Sequence, residues 1–234
     1  MIEGLPGYIS IAFILTTFLT VGFIFYAIRQ TASEIFPAKT LLFLIPFWLF
    51  FQAGLSLSGF YLKTDTLPPR IFLFAVLPSL LVIILLFIFH SKLFISNLSL
   101  KTLTLLSVVR IPVEIVLFWL FENGQIPQIM TFEGRNFDIL SGITAPIMAW
   151  LAFRNGKTNR ILLLVWNISA LLLLFNIVIT AALSIPSPIQ QLAFEQPNRA
   201  VLYFPFVWLP VIVVPIVLFS HLASLWQIFT NKVE

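Results

Sequence analysis

Residues 101–121 read KTLTLLSVVRIPVEIVLFWLF, a run apolar enough to cross a bilayer that nevertheless carries Arg110 and Glu114 near its middle. A helix rises about 1.5 Å per residue, so this length matches the roughly 30 Å hydrocarbon core of a membrane. A charged side chain at that depth costs roughly 2.5–3.5 kcal/mol on insertion scales, so both charges must face protein rather than lipid. Their spacing of four puts them on one helical face, close enough to pair. Pro112 between them has no N–H, which leaves the carbonyl of Val108 free to accept a bond from elsewhere. A single span cannot hide such a spot, and the reading therefore requires a bundle.

The rest of the chain supplies one. Of 234 residues, 60% are hydrophobic and only 9% charged, with 26 Phe, against about 25% charged residues in a soluble domain. The mean hydropathy is +1.05. The apolar runs are continuous rather than alternating, which excludes an outer-membrane barrel and gives an all-α, polytopic transmembrane helix bundle. Seven spans are expected, over residues 8–28, 40–62, 71–94, 101–121, 137–153, 161–185 and 200–229, forming a single integral membrane domain of 1–234. The first run has no early small-residue cleavage site and is read as a retained helix.

Charge sets the expected orientation. Arg29, Lys39, Lys92, Lys101, Arg154, Lys157, Arg160 and Lys232 fall in one set of alternate connections; Lys63, Arg70, Arg135 and Arg199 fall in the other. The richer set belongs in the cytoplasm, which puts the N-terminus outside and the C-terminus inside, in the plasma (inner) membrane. Tyr8, Tyr61, Trp119 and Tyr203 then sit at the outer interface, and Tyr26, Trp150 and Trp226 at the inner one. Basic residues scattered in this way form no nucleic-acid-binding patch, and the expected surroundings are lipid. The two long connections, 122–136 and 186–199, fall on the outer side and would build a mouth there, as lids or as short interfacial helices.

Several polar residues are expected to line an internal site. Gln52, Asn167 and Asn176 carry amides that hydrocarbon does not tolerate, and with His221 they join Arg110 and Glu114 as core candidates. Glu133, Arg135, Asn136 and Asp138, with Glu122 nearby, form an outer-loop cluster just before the fifth span; Asn136 or Asp138 is also placed to cap that helix. Pro46, Pro78, Pro146, Pro210 and Pro215 interrupt other spans, as in the broken helices of transporters.

These features exclude more than they select. Zero Cys removes disulfides, thiolate metal sites and cysteine nucleophiles. No metal or cofactor is expected: a haem would need His90 and His221, and neither has a second ligand at helical spacing. No lysine in the seventh span is available to hold retinal. The leading expectation is a membrane protein that binds or transports a small anionic or lipid-like molecule around Arg110, Glu114 and Gln52. Two alternatives remain: a lipid-modifying enzyme using Glu114, His221 or Asp138 as acid or base, and a structural or sensory membrane partner whose centre is filled by side chains.

Overall fold

In the computed structural model of the chain, residues 1–31, 34–156 and 158–230 are described. The chain is 72% helical, and no strand occurs among the described residues. The principal helices are α1 (Gly7–Thr31), α2 (Ala38–Leu57), α3 (Leu77–His90), α4 (Leu100–Leu106), α5 (Arg110–Glu122), α6 (Ile139–Ala152), α7 (Arg160–Leu183) and α8 (Val214–Thr230). Among the described residues, six helical stretches are long and apolar enough to cross a membrane: Gly7–Gln30, Ala38–Leu57, Phe72–His90, Leu100–Glu122, Arg160–Leu183 and Leu209–Thr230. This is consistent with an integral membrane protein. The run at 137–153, expected to be a full span, is a helix of only 14 residues, α6, or about 21 Å.

The cause of that shortness lies in the connection before it. Asp138, at the start of α6, pairs with Arg110, the first residue of α5, so the 123–138 connection descends from the end of α5 back to its beginning. That is a return of about 18 Å along the helix axis. α6 packs along α4 and α5, and it starts about half-way along the Leu100–Glu122 stretch instead of at its end. Gly142 makes the approach possible: a Cβ there would stand 2.8 Å from Ile111 Cγ1 and 3.1 Å from the Ile111 backbone nitrogen.

Pro46 and Pro146, expected to interrupt their spans, lie inside the continuous helices α2 and α6, whereas other prolines stand at helix irregularities. Pro112 lies just after a tight 3-10 turn, Ser107–Val109, that separates α4 from α5. The Val108 carbonyl expected to be free is instead taken by a backbone N–H at the cap of that turn. Pro78 and Pro215 each deprive the carbonyl four residues earlier of its helical donor. Those carbonyls are Phe74 and Val211, and each lies in a one-turn π-helical segment, Phe72–Val76 or Leu209–Val213. Gln52 Nε2 donates to the Phe74 carbonyl at 2.9 Å, and Ser79 Oγ donates to that of Val211 at 2.9 Å. Gln52 Oε1 also accepts from the Tyr61 hydroxyl. Tyr61 is therefore fully buried. Between α1, α2, α3 and α8 lies an apolar cavity of about 230 Å³, walled by Trp48, Leu86, Ile212 and Phe219 among others.

Candidate functional site

Arg110, Glu114, Asn136, Asp138, Asn167 and His221 are each at least 95% buried and meet where α5, α6, α7 and α8 converge. Arg110 Nη1 donates to Asp138 Oδ1 at 2.8 Å and to the Ala170 carbonyl at 3.2 Å. Arg110 Nη2 lies 2.9 Å from His221 Nε2. A guanidinium can only donate, so His221 Nε2 accepts and its proton sits on Nδ1, which faces Asn167 Oδ1 at 2.7 Å. Asn167 Nδ2 closes the chain on the Leu163 carbonyl. The Trp166 ring packs against the imidazole with centroids 5.4 Å apart, and Ser107 Oγ approaches Nε2 at 3.4 Å.

The four-residue spacing permits a pair between Arg110 and Glu114, but Arg110 forms its ion pair with Asp138 instead. The two oxygens of Glu114 each lie 2.7 Å from Asn136 Nδ2. No Lys, Arg or His among the described residues makes an ion pair with Glu114. Asn136 also donates to the Met130 carbonyl at 3.0 Å, and its Oδ1 accepts from the Asp138 backbone N–H. That last bond is the local Asx type, which bends the chain into α6. Asp138 stands at the N-cap position, yet its side chain makes no cap bond because it is spent on Arg110.

The loop that delivers Asn136 and Asp138 is tightly folded. Thr131 accepts backbone bonds from Gly134 and Asn136, and a Cβ at Gly134 would lie 2.3 Å from the Gln128 carbonyl oxygen. Gly134→Ala should therefore force the loop open and lower stability by about 1–3 kcal/mol, the usual cost of overpacking; thermal melting in detergent would read it. The other long connection packs on the first: Gln196 Nε2 donates to the Phe121 and Ile126 carbonyls, and the Arg199 and Ala200 N–H groups reach the Gln125 carbonyl.

The candidates named from sequence thus divide. Asn136 and Asp138 leave the expected outer-loop cluster and join the core, whereas Glu122, Glu133 and Arg135 are exposed. Gln52 is buried elsewhere, against Phe74 and Tyr61. Asn176 is exposed and donates to the Arg135 carbonyl. His90 packs against Phe36 and His221 against Trp166; no cluster of three metal-ligating side chains occurs among the described residues.

One wall residue had no signal in the sequence. A cavity of about 120 Å³ lies beside the network, lined by Glu114, Asp138 and Asn198 with apolar side chains that include Val113, Leu174, Val178 and Leu209. Asn198 caps the end of α7: its backbone N–H donates to Ser184 and its Nδ2 to Ala181. Its Oδ1 is buried without a partner, as are Arg110 Nε and Ser141 Oγ. Buried polar atoms left unsatisfied are rare in folded proteins.

The family described as a domain of unknown function (DUF8737) matches residues 68–229. The chain belongs to that family. No curated protein and no solved structure matches it. Every member of the buried network, and Asn198 with it, falls inside the DUF8737 region, whereas Gln52 and the first two helices precede it.

Proposed function

We propose that this DUF8737 protein is a seven-span, carrier-type membrane protein. Its ligand is a small molecule with an apolar body and a cationic or hydrogen-bond-donating head, held in the cavity walled by Glu114, Asp138 and Asn198. The observation that carries this reading is one cavity that combines apolar walls with two buried carboxylates and the unpartnered Asn198 Oδ1. All of these polar groups accept. The anionic ligand expected at Arg110 has less support, because both terminal nitrogens of that guanidinium are already committed to Asp138, Ala170 and His221. A volume of about 120 Å³ is of the order that holds one small apolar ring or chain.

The course of the chain supports a carrier. Irregular backbone at membrane depth is tolerated where it is buried or lines a cavity, and half-helices beginning at mid-depth are a recurring way to build transport sites. In the seven-span reading, α6 is such a half-helix. It completes a crossing that the 123–138 connection begins, and the N-terminus lies outside the plasma (inner) membrane. A reporter fused after Glu234 should then be cytoplasmic; an extracellular reporter would overturn the orientation.

Ligand class is tested by melting the purified protein with propylammonium, propionate or propanol. Binding to the folded state alone raises stability by RT ln(1 + [L]/Kd), about 2.7 kcal/mol at a hundredfold excess over Kd. Propylammonium should raise Tm, propionate should not, and Val178→Phe, which fills the cavity, should remove the effect. A larger rise with propionate would restore an anionic ligand.

A further inference from the structure

Resting on that reading of the cavity, we propose that Glu114 is a proton–ligand exchange site: its carboxyl holds a proton while the cavity is empty and releases it when a cationic head group enters. The charges around it do not balance. Arg110 neutralises Asp138 directly at 2.8 Å, and His221 adds no charge because its Nε2 lone pair accepts from Arg110. Glu114 is left with a single neutral donor, the Asn136 amide.

The neighbours from each element leave no other compensation. Its own helix contributes Arg110, and the loop leading into α6 contributes Asn136 and Asp138. The segment after α7 contributes only the neutral Asn198, while the cavity walls from the Phe72–Val76 and Leu209–Val213 segments are apolar. α8 contributes His221, which reaches only Arg110, Asn167 and Ser107. α1 packs along α5 and carries its only charge, Arg29, in its last turn.

A buried carboxylate without a counter-charge is costly, and two species can remove that cost at the same pair of oxygens: a proton or a bound monocation. They compete. The exchange balances as a carboxylic acid plus an alkylammonium ion giving a carboxylate–ammonium pair and one free proton. Asn136 Nδ2 is equidistant from both oxygens, so it serves whichever of them is the acceptor before and after. Since one proton leaves for each ligand bound, apparent affinity should strengthen with pH by up to tenfold per unit.

Infrared spectroscopy of the whole protein, with glutamate labelled in its side-chain carboxyl by carbon-13, tests this on the unaltered chain. Among the described residues Glu114 is the only buried glutamate; Glu3, Glu34, Glu122, Glu133 and Glu195 are exposed. At neutral pH the protein should show a protonated-carboxyl band that shifts with the label, is missing from Glu114→Gln, and disappears as propylammonium is added. No such band in the unliganded protein would overturn the proposal. So would a band that persists while propylammonium raises Tm, and in that case the cation-binding reading survives alone. A band present together with no propylammonium binding would overturn the cation reading and, with it, the exchange.

Discussion

Arg110→Gln should lower the stability of the purified protein by about 3–5 kcal/mol, the usual cost of removing one partner from a buried ion pair. The substitution strips Asp138 of its ion pair with Arg110 and leaves His221 Nε2 and the Ala170 carbonyl without the guanidinium donor. Arg110→Gln with Asp138→Asn removes both charges, and most of the loss should return. The recovery, read as a coupling energy in a double-mutant cycle, measures the pair itself. A single variant that melted like the parent would mean that Arg110 is not held as described. Because Arg110 organises four chain segments, it reports on folding; ligand binding is better read at the cavity wall.

The second large effect is expected at Asn136. Asn136→Leu removes the donor to Glu114 and to the Met130 carbonyl, and the acceptor for the Asp138 N–H. Each of these three buried groups left unsatisfied costs about 1–3 kcal/mol, so the variant should be destabilised by about 3–9 kcal/mol and is expected to lose the turn into α6. Replacing both members of a buried polar pair by apolar groups can be nearly neutral. Glu114→Leu combined with Asn136→Leu should therefore be more stable than Asn136→Leu alone. If the double variant were the less stable of the two, Asn136 would matter through the loop and not through Glu114.

What the sequence revealed depended on contrast. Arg110 and Glu114 stood out because the surrounding residues are apolar, and the same contrast marked Asn167 and His221; the structure brings all four into one region. Their partners were harder to find. Asn136 and Asp138 lie in a polar connection, where polar residues are unremarkable, and hydropathy places such a connection at the membrane surface. Its descent to Arg110 depends on tertiary contacts, on the close backbone approach at Gly134 and on the space left by Gly142. Asn198 was hidden for the same reason, in a stretch rich in Gln and Pro.

The prolines divide as signals, since Pro46 and Pro146 lie inside continuous helices. Pro78 and Pro215 do break helices, and the carbonyls they free explain why Gln52 and Ser79 are polar and buried. That same bonding assigns Gln52 to helix packing, away from Glu114. The short fifth run, by contrast, reads as a full span because Phe137 and Ile139 continue its apolar pattern up to the turn.

The cavity beside Glu114 is expected to admit a small cation. The chain has no native Cys, so Val178→Cys places a single thiol on the cavity wall. Its reaction rate with a cationic ethylammonium methanethiosulfonate can be compared with that of the anionic ethylsulfonate analogue of similar size. The cationic reagent should react faster and be slowed by propylammonium. Faster reaction with the anionic reagent, or no reaction with either, would contradict the account.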